Sequence, residues 1–168
     1  MNVISSISGI IVMASAFAAT VLGQDITVEK NLLKEWRCLD PNTTVIQNDG
    51  IIACENKTVK EVGGVVQSVS INQNSAKPVL VACENKAEGV SGDIEGANYA
   101  IYLDVTYTDD TRAWGVRAAF KTGTHDWEKA SLTYTPDKPV KTITYYILLR
   151  NKTGKAWFRN ALLAEIQN

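Results

Sequence analysis

The chain has 168 residues, 45% of them hydrophobic and 21% charged, with a formal net charge of −1. These values exclude a disordered chain, a collagen and any polyanion binder that relies on bulk charge, and leave one globular domain of modest size. All 17 basic and 18 acidic residues follow Gly23, so the remaining ~145 residues are more polar than the average suggests, yet enough to bury a core.

The first element is the uncharged segment 1–23. Ile10-Ile11-Val12-Met13 and the Ala-rich run Ala14 to Ala19 are apolar or small, and Ala16-Phe17-Ala18 and Val21-Leu22-Gly23 resemble peptidase sites. This reads as a secretory signal peptide, leaving a mature chain 24–168 that is secreted and free of the membrane. The n-region lacks Lys and Arg, so an uncleaved anchor is the competing reading, because about 20 apolar residues can span a bilayer.

Beyond it the dominant period is two. Eight main strands are predicted: Ile51–Glu55, Val65–Ile71, Val79–Glu84, Tyr99–Tyr107, Arg112–Phe120, Glu128–Thr135, Lys141–Arg150 and Ala156–Ile166. In the fourth, Ile101, Leu103 and Val105 alternate with Tyr102, Asp104 and Thr106, as in a strand with one face in a core and the other in water. Asn48-Asp49-Gly50, Asp109-Asp110, Thr122-Gly123-Thr124 and Pro136-Asp137-Lys138-Pro139 supply turns. No segment holds a 3.6-residue period for three turns, so the fold class is all-β: an antiparallel sandwich with jelly-roll, galactose-binding-like topology.

Ala53-Cys54-Glu55-Asn56-Lys57 recurs as Ala82-Cys83-Glu84-Asn85-Lys86. Two copies do not make a repeat architecture, and the pair reads as two strand ends with similar exits. Cys38, Cys54 and Cys83 with His125 as the one imidazole are too few and too dispersed for a zinc site. In an oxidising compartment they predict one disulfide and one buried thiol. Sequons at Asn42, Asn56 and Asn151 would mark exposed loops if glycosylated.

A set of segments in order carries a resemblance: Gly64-Val65-Val66-Gln67-Ser68-Val69, Lys86-Ala87-Glu88-Gly89-Val90-Ser91-Gly92, the strand Tyr99–Tyr107, Phe120-Lys121-Thr122-Gly123-Thr124-His125-Asp126-Trp127, Lys138-Pro139-Val140-Lys141 and Gly154-Lys155-Ala156-Trp157-Phe158. Together they resemble the CenC-like carbohydrate-binding modules, the jelly-roll families four, nine and twenty-two. The resemblance implies a non-catalytic module that binds a polysaccharide or glycan on a concave sheet and often carries a structural calcium. Where such modules end in Trp-Phe-Asp-Asp, this chain has Trp157-Phe158-Arg159-Asn160. A hard cation prefers several charged oxygens, so no cofactor is expected and a retained calcium is disfavoured.

Jelly-roll order puts the second, fourth, fifth and seventh main strands in one sheet. Removing the core-facing residues leaves Tyr102, Asp104, Thr106, Arg117, Tyr146 and Arg150 on its other face as candidate ligand-binding residues. Aromatic rings suit the C–H faces of sugars, and Arg and Asp suit hydroxyl pairs. The plainer alternative is an Asp104–Arg117 cross-strand ion pair with tyrosines as ordinary strand residues. Trp114 either stacks on a sugar at the rim of the cleft or caps the core, and Trp127 and Trp157 are expected as core anchors.

The same topology separates Cys54 from Cys83 by the final strand, about 9.6 Å over two strand spacings, beyond the ~7 Å a disulfide tolerates. The loop holding Pro41 and Asn48-Asp49-Gly50 would instead fold back as a hairpin and bond Cys38 to Cys54, leaving Cys83 free. Catalysis finds no support: no pair of carboxylates is brought together, and no Gly-x-Ser-x-Gly, phosphate cradle or metal cluster occurs. Nucleic-acid binding lacks a basic stripe. A structural or adhesion sandwich without sugar binding is the alternative function, since this architecture serves many tasks.

Overall fold

The computed structural model describes residues 17–21, 24–28, 30–92 and 98–166. Every regular element in them is a strand: β1 (Phe17–Val21), β2 (Gln24–Val28), β3 (Arg37–Cys38), β4 (Thr44–Ile46), β5 (Ile52–Asn56), β6 (Val62–Ser70), β7 (Val79–Ser91), β8 (Asn98–Tyr107), β9 (Arg112–Ala119), β10 (Gly123–Tyr134), β11 (Val140–Arg150) and β12 (Thr153–Glu165). β1 and β2 pair with each other as a two-stranded sheet. Most of the expected leader, including Ala16, Leu22 and Gly23 of its cleavage sites, lies outside the described residues.

The other ten strands form two antiparallel five-stranded sheets. The front sheet has the order β3-β6-β11-β8-β9 and the back sheet β10-β7-β12-β5-β4. All eight predicted main strands are present, and the four assigned to one sheet are β6, β8, β9 and β11 of the front sheet. Each sheet turns an apolar stripe inward. Val65, Ile101, Leu103, Ile143, Tyr145, Ile147 and Leu149 meet Val79, Val81, Cys83, Ala156, Phe158 and Leu163 in one buried core. That stripe follows from the two-residue period, because successive side chains point to opposite faces. Hydrogen bonds across the interior fix how the sheets sit: the Tyr145 hydroxyl donates to Ala82 O at 3.0 Å and the Tyr99 hydroxyl to Asn85 Oδ1 at 3.1 Å.

The twin Ala-Cys-Glu-Asn-Lys segments occupy β5 and β7, where both Cys and both Asn point inward and are buried. A buried amide must find partners. Asn56 Nδ2 lies 2.8–3.1 Å from Glu61 O, Leu149 O and Lys152 O, and Asn85 Nδ2 donates to Glu128 O at 3.0 Å. Asn56 is 1% exposed, so its sequon does not mark an exposed loop, whereas Asn42 is exposed.

Three other expectations are corrected. β7 continues to Ser91, and β10 starts at Gly123 with register shifts around His125, so the supposed turn at Thr122-Gly123-Thr124 and the loop after it belong largely to a bulged strand. Trp127 and Trp157 are half-buried on the outward side of the back sheet, not in the core, and Arg159 Cζ lies 4.0 Å from the Trp127 ring centroid. Finally, Cys38, Cys54 and Cys83 are all free thiols. The strand that folds back on β5 is β4, which puts Thr44 opposite Cys54, while β3 crosses to the front sheet and pairs Cys38 with Val65. The Cys38–Cys54 bond is therefore not formed. Thr44 Oγ1 lies 3.6 Å from the Cys54 sulfur, and burial pushes the Cys54 thiol up to about 12, helped by the nearby Cys38.

Candidate functional site

The outward face of the front sheet is built by strand register. Arg37 on β3 pairs with Val66 on β6, Val66 with Tyr146 on β11, Tyr146 with Tyr102 on β8, and Tyr102 with Arg117 on β9. One row thus crosses all five strands with an arginine at each end and two tyrosines inside. The next row runs Ser68, Thr144 and Asp104, and the one beyond it Ser70, Thr142, Thr106 and Arg112. On the far side Arg150 stands opposite Asn98. The sheet therefore gathers Tyr102, Asp104, Thr106, Arg117, Tyr146 and Arg150 on one surface.

Trp114 joins the same surface through a local irregularity. The register of β8 with β9 shifts between Leu103 and Val105, and Gly115 takes φ 77° there. A bulge with glycine in the left-handed region inserts one extra residue and re-aims its neighbour. Ala113 packs on the core while Trp114 is 61% exposed, with Arg112 Cζ 5.4 Å from its ring centroid. Of the two readings of Trp114, the core cap is excluded.

The interior of the face is polar and ordered. Tyr102 and Tyr146 meet edge to face, 5.9 Å between centroids at 71°. Partial burial and the Asp104 carboxylate beside its hydroxyl raise the Tyr146 pKa, so the phenol stays protonated. Asp104 Oδ1 is buried without a hydrogen-bond partner, and an acceptor in that state costs free energy until a donor reaches it. Ser68 Oγ lies 3.0 Å from Thr144 Oγ1. Arg117 Nη1 donates to Asn98 Oδ1 at 3.4 Å, and no Asp104–Arg117 ion pair forms among the described residues. Two planar phenols, a carboxylate, hydroxyls and guanidinium forks are the groups that hold a ring bearing hydroxyls. Sequence reasoning missed Arg37, Arg112, Ser68 and Thr144. Alternation places the last three, but only the pairing of the two-residue β3 reveals Arg37.

Other candidates serve different ends. His125 Nδ1 lies 2.7 Å from Asp126 O and Nε2 lies 2.8 Å from Lys121 O, which places the ring between two backbone carbonyls at the bulged start of β10. At the terminal strand, Glu84 accepts from Arg159 Nε at 2.8 Å and from Asn160 Nδ2 at 3.1 Å, which lowers its pKa. With both carboxylate oxygens engaged and a guanidinium beside them, these residues do not fit a calcium ion.

No family model matches the chain. It is 30% identical over 125 residues to the tRNA3(Ser)-specific nuclease WapA of Bacillus spizizenii, a match covering 70% of this chain and 5% of that protein. The chain thus spans about a twentieth of the length of the curated relatives it matches. Among solved structures, a CBM4 module superposes with a TM-score of 0.51 at 14% identity, covering 77% of each chain. The CBM22-1 and GH10 modules of Clostridium thermocellum xylanase 10B, complexed with xylohexaose, give 0.54 at 13%, over 77% of this chain and 26% of that one. This is the jelly-roll fold of the family 4 and family 22 carbohydrate-binding modules. The enzymatically active domain of bacteriophage CBA120 tailspike protein 4 shares it, with a TM-score of 0.54 at 10% identity over 73% of this chain and 17% of that one.

Proposed function

We propose that the chain is a secreted, non-catalytic module that binds a polysaccharide through the outward face of its front sheet. The observation that carries this reading is the row Arg37, Val66, Tyr146, Tyr102 and Arg117, flanked by Asp104 and Trp114, on a sheet of the carbohydrate-binding-module jelly roll. Segment 1–23 acts as the signal peptide that exports it, and the module needs no metal, since Arg159 and Asn160 already engage Glu84. Its kinship with WapA is that of a shared module, because the match spans 5% of that protein. Depletion from solution by insoluble polysaccharides tests the reading directly: at least one polysaccharide retains the chain, and Tyr102→Ala and Tyr146→Ala abolish retention while the fold persists. A chain that no polysaccharide retains is an adhesion or structural sandwich.

A further inference from the structure

The front face carries a surplus of cations that composition does not predict. On the back sheet and in the turns several basic residues sit against carboxylates: Arg159 with Glu84 at 2.8 Å, Lys86 with Asp126 at 3.1 Å, Lys138 with Asp109 at 2.8 Å. On the front face Arg37, Arg112, Arg117 and Arg150 have no carboxylate within ion-pairing distance among the described residues. Asp104 is the face's own carboxylate, and it lies with Tyr146. A chain of net charge −1 has therefore gathered four guanidinium groups without a carboxylate partner among the described residues on the sheet that also presents Tyr102 and Tyr146.

We infer that the ligand of this face is an anionic polysaccharide bearing carboxylates, a polymer of uronic acid residues, held by Arg37, Arg117 and Arg150 with its rings against Tyr102 and Tyr146. The inference rests on the glycan-binding reading and adds the ligand's charge. A guanidinium fork matches a carboxylate in two parallel hydrogen bonds, and such charge-assisted pairs are stronger than neutral ones. Arg37 and Arg117 are separated by four strand spacings, about 19 Å, a span that an oligomer covers and a single sugar does not. Asp104 favours a saccharide over a nucleic acid: a carboxylate accepts hydrogen bonds, and a uronate ring presents hydroxyl donors where a phosphodiester backbone presents acceptors alone.

The test measures binding of the full chain to polygalacturonate and alginate, to the carboxyl-reduced form of each, to neutral polysaccharides and to RNA, at low and moderate salt. Expected is binding to a uronate polymer that weakens with salt, falls at least tenfold on carboxyl reduction, and falls at least tenfold in Arg117→Gln and Arg150→Gln. Arg159→Gln on the back sheet leaves it unchanged, and melting curves confirm that each variant folds. Equal binding of the acidic and reduced forms, or binding of neutral polysaccharides alone, overturns the charge inference and leaves the glycan reading standing. Binding of RNA with no polysaccharide bound, or of no polymer at all, sinks both.

Discussion

The front and back sheets bury the same kind of inward stripe and differ on their outward sides. The back face pairs several of its charged groups with one another, although Thr133 Oγ1 on β10 is buried without a partner. Glu84 is held by Arg159 and Asn160, Lys86 by Asp126, and the Arg159 guanidinium covers Trp127. The front face leaves Trp114 61% exposed, Asp104 Oδ1 without a partner and four arginines without carboxylates among the described residues. A surface whose groups are mutually satisfied has little left for a ligand, whereas one left unsatisfied gives up some stability and keeps binding capacity. The contrast supports the proposal that the front sheet is the one that recognises a ligand.

The largest expected effect comes from removing the front face altogether. Gly64 takes φ 135°, and a Cβ there would lie 2.0 Å from Ile147 O in the β6–β11 pairing. Gly64→Ala is expected to destabilise by more than about 3 kcal/mol, read by urea unfolding, and a stable variant would show that β6 does not need its close approach to β11. Next is a difference in thiol chemistry between interior and edge. With the Cys54 pKa raised from 9.0 to about 12 and Cys83 raised further, both by burial, the thiolate population of Cys54 is about a thousandfold below that of an ordinary thiol. Alkylation of the native chain should label Cys38 alone, and non-reducing peptide mapping should recover all three cysteines unbonded. A Cys38–Cys54 crosslink would overturn the placement of β3.

Smaller effects sharpen the contrast between the faces. Arg159→Ala removes an ion pair half-exposed to water and the cation over Trp127, and is expected to cost about 1 kcal/mol without altering polysaccharide retention. The opposite pattern, retention lost with stability kept, would move the site to the back sheet. The smallest effect is in pH. The Glu84 pKa is lowered from 4.5, first by the Arg159 and Asn160 hydrogen bonds. A depressed carboxylate contributes stability that is present above its unfolded value and lost as pH falls through its folded value. Stability measured from neutral pH to below pH ~4.5 should therefore decline more gently in Glu84→Gln than in the parent chain.

The eight main strands and their division between sheets were legible because alternation is local, and the jelly roll gives alternation a fixed strand order. Tyr102, Asp104, Thr106, Arg117, Tyr146 and Arg150 were legible for the same reason: each sits one step out of phase with a core-packed residue such as Ile101, Val116 or Ile147. The Cys38–Cys54 bond failed because a two-residue strand has no period to read, and whether β3 or β4 folds back on β5 depends on partners distant in sequence. Trp127 and Trp157 were misplaced because size and apolarity argue for burial, whereas their strand phase puts them outside and a cation covers one of them.

Composition and periodicity by themselves determined an all-β chain, the phase of each long strand and the inventory of aromatic, guanidinium and carboxylate groups, because these depend on residues within a few positions of one another. The tertiary structure alone decided which groups stand side by side. Arg37 and Arg117 are 80 residues apart in the chain and end one row, and Asn56 reaches Leu149 O across 93 residues. Strand order and register set these distances, and both arise from burying two apolar stripes against each other, a global requirement that no local stretch of sequence expresses.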